Sequence, residues 1–120
     1  MKRLLIVDDI ESYLNALALV LQDRFDVVKA ASFSEAIHEV TVCRPDVALV
    51  DIRLSEEDSH NRDGLELLQW LQNNHPTVSV VLMSAYRDFD AELPASQLFL
   101  RKPIAAEDLH KVLSEAVGGL

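Results

Sequence analysis

The sequence predicts an α/β fold in which five parallel strands form a doubly wound sheet with helices on both faces. Five short apolar runs alternate with amphipathic segments along the chain. Most of these runs are continuous rather than alternating, as expected for strands that are covered on both faces. The chain has 120 residues, of which 49% are hydrophobic. That length and composition predict one domain, residues 1–120, with a substantial core.

The predicted strands are the apolar runs themselves, which are mostly rich in β-branched residues. In order they are Leu4–Val7, Val27–Val28, Val47–Val50, Val78–Met83 and Leu98–Leu100. The segments between them carry apolar residues at helical spacing, and Tyr13 and Val20 belong to the first such stripe. Ser32 and Glu35 predict a capping box at the start of the second helix. Gly118 predicts the end of the last helix.

Two connections are irregular. The stretch 52–63 is a long polar loop rather than a short turn. The stretch 85–97 should contain the fourth helix, but Pro94 interrupts it, and only Phe89 and Leu93 form an apolar i, i+4 pair. The sequence therefore predicts a short or irregular fourth helix.

The charge and cysteine content exclude several classes of function. Eleven Lys and Arg against 20 Asp and Glu give a net charge of −9, which would repel nucleic acid and anionic membrane surfaces. No apolar stretch approaches the roughly 20 residues needed to span a bilayer. The lone Cys43 excludes an intrachain disulfide and, with no export signal at the N-terminus, favours the cytoplasm.

Polar side chains follow four of the five predicted strands. Asp8 and Asp9 follow the first, Asp51 the third, Ser84 ends the fourth and Lys102 follows the fifth. The carboxyl ends of parallel strands meet at one sheet edge, so these groups should converge there. Three close carboxylates require a compensating cation or the protonation of one of them, and hard oxygen ligands suit Mg²⁺. An aspartate held between a metal and a lysine can attack phosphorus and form an acyl phosphate.

These motifs, in this order, resemble the receiver domain of two-component response regulators. The resemblance covers nearly the whole chain and is carried by Leu5–Asp9, Val50–Arg53, Met83–Ala85 and Lys102-Pro103. Each motif alone is weak, but the ordered set at strand ends is highly specific. The resemblance implies a flavodoxin-like sheet with strand order 2-1-3-4-5.

The resemblance also implies a set of metal ligands. Asp9 would bind Mg²⁺ directly, and Asp8 would bind it largely through water. Asp51 would be both a ligand and the residue that is phosphorylated. The backbone carbonyl of Arg53 would complete the protein ligands.

The resemblance implies roles for three further residues. Ser84 would donate a hydrogen bond to the phosphoryl group, and Lys102 would pair first with Asp51 and then with a phosphoryl oxygen. Lys102-Pro103 would be a cis peptide. Phe99, three residues before Lys102, lies where the family carries its switch aromatic, although an aromatic within a strand is also a simple core residue.

The predicted function is a signalling switch that is phosphorylated by a sensor histidine kinase or a phosphotransfer protein. It would catalyse only its own phosphorylation and dephosphorylation, and would act on an output domain or partner protein; a homodimer is left open. Two alternatives remain. A phosphohydrolase would use Asp51 on external substrates, and a degenerate receiver would serve only as a docking module. The large residues Arg53 and Tyr86, two positions after Asp51 and Ser84, predict slow hydrolysis of the acyl phosphate.

Overall fold

A computed structural model describes residues 1–55, 58, 60–85, 93–94 and 96–118 of the chain. The described residues form five strands and four helices. In chain order they are β1 (Arg3–Val7), α1 (Glu11–Leu21), β2 (Asp26–Ala30), α2 (Phe33–Cys43), β3 (Val47–Asp51), α3 (Asp63–Asn74), β4 (Ser79–Ser84), β5 (Leu98–Arg101) and α4 (Ala106–Ala116). All five predicted strands are confirmed, with ends shifted by up to two residues.

The sheet is parallel throughout and has the order β2-β1-β3-β4-β5, which confirms the predicted fold class. Alternate residues of each central strand face opposite sides. Leu4 and Ile6 of β1 pack with α1 and α4, whereas Leu5 and Val7 pack with α2 and α3. Because both faces of the strand are covered by helices, its apolar run is continuous.

The local signals at the helices are mostly confirmed. Ser32 is the N-cap of α2 and its hydroxyl accepts a hydrogen bond from the Glu35 amide at 3.2 Å. At the end of α4, Gly118 adopts the left-handed backbone conformation with φ of 81°, which glycine accepts without steric cost. The helical spacing assigned Val20 to the apolar stripe of the first helix, but the Val20 side chain is exposed at the edge of that stripe.

Most of the segment that should contain the irregular fourth helix, including Phe89, lies outside the described residues. That prediction therefore stands as it was made. The helix named α4 here is the one that follows β5.

The register of the sheet determines which residues meet at its carboxyl edge. Val7 of β1 pairs with Val50 of β3, Asp51 pairs with Met83 of β4, and Ser84 pairs with Arg101 of β5. Residues that follow these positions therefore emerge at the same edge.

Candidate functional site

The centre of the site is the ammonium group of Lys102, which lies between two carboxylates. Its Nζ donates hydrogen bonds to Asp8 Oδ2 at 2.7 Å and to Asp51 Oδ2 at 2.8 Å. The three side chains are largely buried, with 11% exposure for Lys102, 7% for Asp51 and none for Asp8. Burial lowers the pKa of Lys102, but the neighbouring Asp51 and Asp8 raise it by more, so the ammonium is positively charged here.

Asp8 is held by the backbone on both sides of it. Its amide donates to the Ala30 carbonyl of β2 at 3.1 Å, and its Oδ1 accepts from the Ile10 amide at 2.9 Å. With Lys102 on Oδ2, both oxygens of this carboxylate have a protein partner.

Asp51 ends β3, and the start of α3 packs directly against its backbone. The Gly64 amide donates to the Ile52 carbonyl at 2.9 Å. A Cβ at Gly64 would lie 2.5 Å from Ile52 Cα and still closer to the Asp51 carbonyl oxygen. Only glycine permits this approach.

The cost of burying the negative charge of Asp51 is only partly offset by its hydrogen bonds and by Lys102. Its Oδ1 accepts a long hydrogen bond of 3.3 Å from the Arg53 amide, and its Oδ2 accepts from Lys102. Burial raises the pKa of Asp51 to about 6, and Lys102 opposes that rise. A further cation beside this carboxylate would favour its ionised form.

A cluster of three carboxylates offers a place for such a cation. Asp8, Asp9 and Asp51 each present an oxygen, and these oxygens all lie within 4.8 Å of one another. The donors are all hard carboxylate oxygens, with no sulfur or imidazole among them. This donor set fits Mg²⁺.

Ser84 and Lys102 are neighbours through the backbone. The Lys102 amide donates to the Ser84 carbonyl at 2.9 Å, and the Ser84 side chain is buried. The Lys102-Pro103 peptide is cis, as the resemblance implied. Phe99 is partly buried against the core shared with α2 and α3, and the Arg101 guanidinium carbon lies 5.9 Å from its ring centroid.

Polar contacts join the described residues of the loop between β3 and α3. Arg53 Nε donates to the carbonyls of Ser55 at 2.9 Å and Asp58 at 3.0 Å. Asn61 Oδ1 accepts from the Leu54 amide at 2.9 Å and the Asp63 amide at 3.0 Å. The Arg53 side chain therefore binds its own loop. Tyr86, its predicted partner in shielding the phosphoryl group, lies outside the described residues.

Tyr13 was assigned to the apolar stripe of the first helix and not to the site. The structure places its ring centroid 4.4 Å from Lys102 Nζ. Burial raises the pKa of the Tyr13 hydroxyl, and Lys102 opposes that rise. The helical spacing identified Tyr13 as a member of the apolar stripe but gave no sign of its contact with Lys102.

Comparison with known proteins agrees with this geometry. Residues 4–114 match the model of the response regulator receiver domain family. The chain is 32% identical over 90 residues to the DNA-binding transcriptional regulator NtrC of Klebsiella pneumoniae, covering 72% of this chain and 18% of NtrC. It is 29% identical over 119 residues to the nitrogen assimilation regulatory protein NtrX of Azorhizobium caulinodans, covering 95% of this chain and 26% of NtrX.

Among solved structures, a CheY-like response regulator receiver domain protein from Methanospirillum hungatei superposes with a TM-score of 0.83 at 25% identity. That match covers 98% of this chain and 94% of the other. The chain therefore covers nearly all of that receiver domain protein but only 18% of NtrC and 26% of NtrX. Among the described residues, no helix combines the length and apolar character needed to cross a membrane.

Proposed function

Because this chain belongs to the response regulator receiver domain family, we propose that it accepts a phosphoryl group on Asp51 in the presence of Mg²⁺. Residues 1–120 would act as one receiver domain. The observation that carries the proposal is the buried Lys102–Asp51 ion pair beside a cluster of three carboxylates. This arrangement supports the proposal because it brings the proposed nucleophile, a positively charged ammonium and the proposed metal ligands to one sheet edge.

The proposed metal ligands are carboxylate oxygens of Asp9 and Asp51 and the backbone carbonyl of Arg53, with Asp8 acting through water. Bound Mg²⁺ would neutralise part of the negative charge of these carboxylates and of the incoming phosphoryl group. The hydrogen bonds of Asp8 to Lys102 and Ile10 support its indirect role.

In the proposed transfer, an Asp51 carboxylate oxygen forms a bond to phosphorus while the bond from phosphorus to the donor imidazole nitrogen breaks. The imidazole leaves with the electron pair of that bond and takes up a proton. Lys102 then exchanges its hydrogen bond to Asp51 for one to a phosphoryl oxygen. Ser84 donates a second hydrogen bond to the phosphoryl group, and the position of Phe99 responds to the movement of Ser84.

The proposed donor is a sensor histidine kinase or a phosphotransfer protein in the cytoplasm, and the proposed target is an output domain or partner protein. By name, the matched NtrC is a DNA-binding transcriptional regulator and NtrX is a nitrogen assimilation regulatory protein, and most of their length lies outside the part matched here. A net charge of −9 argues against DNA binding by this domain itself. The domain would turn over no external substrate.

The test follows backbone amide NMR signals while Mg²⁺, and then beryllofluoride as a phosphoryl mimic, are added to the protein. The proposal predicts shifts at Asp9 and Asp51 with Mg²⁺ alone, and further shifts at Ser84 and Lys102 with the mimic. Absence of both responses would favour the docking-module alternative. Steady turnover of small phosphate esters would favour a phosphohydrolase.

A further inference from the structure

The ammonium of Lys102 has a third neighbour besides its two carboxylates. The centroid of the Tyr13 ring lies 4.4 Å from Nζ, well inside the distance of about 6 Å at which an aromatic face attracts a cation. Asp8 and Asp51 accept hydrogen bonds from Nζ at 2.7 and 2.8 Å. The ammonium is thus held by two carboxylates and one aromatic ring.

The ring packs against the core. Tyr13 lies in the first turn of α1 and packs, partly buried, on the core face shared by α1 and α4. It lines an apolar groove of about 170 Å³ together with Leu17, Pro103, Ile104 and Leu109. These apolar contacts of the ring do not depend on the charge state of the site.

We propose that Tyr13 is a positioning residue whose ring holds the Lys102 ammonium at the phosphorylation site. The effect on phosphorylation rests on the function proposed for Asp51 and Lys102, whereas the effect on the position of Lys102 does not. Lysine has a flexible four-carbon stem, so its ammonium needs neighbours that fix it.

The contact with the ring matters because Asp8 and Asp51 are also proposed to interact with a metal ion. When Asp8 and Asp51 share their negative charge with a metal, their attraction for Lys102 weakens. The attraction between the ring face and the ammonium is unaffected by that competition. Tyr13 would therefore keep Lys102 in the cleft during the interval between metal binding and phosphoryl transfer.

The first test observes Lys102 directly and needs no phosphorylation. Ring current from Tyr13 should shift the side-chain ε-methylene protons of Lys102 upfield in the parent, with and without Mg²⁺. The shift should persist in Tyr13→Phe and disappear in Tyr13→Leu and Tyr13→Met. An unshifted Lys102 in the parent, or a shift that survives in both non-aromatic variants, would overturn the proposal.

The second test measures phosphorylation by acetyl phosphate at saturating Mg²⁺, with donor concentration varied to separate binding from transfer. The transfer rate should fall about 2- to 30-fold in Tyr13→Leu and Tyr13→Met, the range expected for one cation–π contact. Tyr13→Phe should stay within about twofold of the parent.

Val27→Ala is the matched control for lost packing. Val27 packs partly buried on the same core cluster, but it pairs with Leu4, four residues before Asp8 along β1. An equal loss of rate in Val27→Ala or in Tyr13→Phe would contradict the positioning role. A parent that is never phosphorylated would overturn the function proposed for Asp51, while the NMR shift would still decide the role of Tyr13.

Discussion

Lys102 Nζ lies 2.8 Å from Asp51 Oδ2, although 51 residues separate them in the sequence. The contact joins the ends of β3 and β5, which are not adjacent in the sheet, because β4 lies between them. The long lysine side chain spans that gap and also reaches Asp8 beyond it. One ammonium thereby offsets two buried carboxylates, and the charge of the site depends on this residue.

Replacing Lys102 with methionine should destabilise the metal-free protein, because two buried carboxylates would lose their shared cation. Breaking a buried ion pair typically costs about 3–5 kcal/mol. Added Mg²⁺ should raise the free energy of unfolding by more in Lys102→Met than in the parent. Urea unfolding with and without Mg²⁺ measures both effects. Lys29→Met is the control, since Lys29 donates an exposed hydrogen bond to the side-chain oxygen of Asn15; an equal loss there would contradict the account.

Gly64→Ala should lower both stability and the phosphorylation rate. The new Cβ would lie 2.5 Å from Ile52 Cα, so the start of α3 must move away from the backbone that carries Asp51. Such overpacking typically costs about 1–3 kcal/mol. Urea unfolding and acetyl phosphate labelling measure the two effects. Gly118→Ala meets no atom within 4 Å and should leave the phosphorylation rate at the parental value; unchanged labelling in Gly64→Ala would refute the prediction.

Asp9→Ala should weaken Mg²⁺ binding more than Asp8→Ala. Both oxygens of Asp8 accept short hydrogen bonds, from Ile10 at 2.9 Å and from Lys102 at 2.7 Å, whereas Asp51 Oδ1 accepts a long one of 3.3 Å. We therefore assign direct ligation to Asp9 and Asp51. Loss of a group that only orients the metal environment typically costs about 10- to 100-fold in affinity, and loss of a direct ligand should cost more. Calorimetric titration compares the two variants. The reverse order would assign direct ligation to Asp8.

The stability of the metal-free protein should depend on pH through Asp51. Its pKa is raised from 3.8 to about 6 in the folded state, so the folded protein binds this proton more tightly than the unfolded chain does. The resulting stabilisation is complete below the unfolded pKa and is lost as pH rises through about 6. In Asp51→Asn, the free energy of unfolding should not show this decrease as pH rises. Unfolding titrations across this range test it, with the exposed Asp23→Asn as control; a difference from the parent that does not vary with pH would contradict the assignment.

Much of the fold was predictable because its signals are local. Continuous apolar runs identified the strands, and Ser32 with Glu35 identified the start of α2. Once the strands were ordered as parallel, Asp8, Asp51 and Lys102 had to emerge at one edge. The convergence of these three groups therefore followed from strand ends alone.

Other features were not predictable because they depend on side-chain direction and close packing. The helical pattern placed Tyr13 in the core stripe, but it carries no information that the ring also faces Lys102. Arg53 was placed at the site by its sequence position, whereas its side chain binds the carbonyls of Ser55 and Asp58. The need for glycine at position 64 arises from contact with the backbone after β3, which only the assembled fold defines.

The most direct test of the central claim is mass spectrometry of the protein after incubation with acetyl phosphate. With Mg²⁺ present, the parent should gain one phosphoryl group, and peptide mapping should locate it on Asp51. Chelation of the metal should abolish the gain, and Asp51→Asn should not acquire the label at the parental rate. Labelling of Asp51→Asn at the parental rate, or labelling of the parent without any divalent cation, would contradict the account.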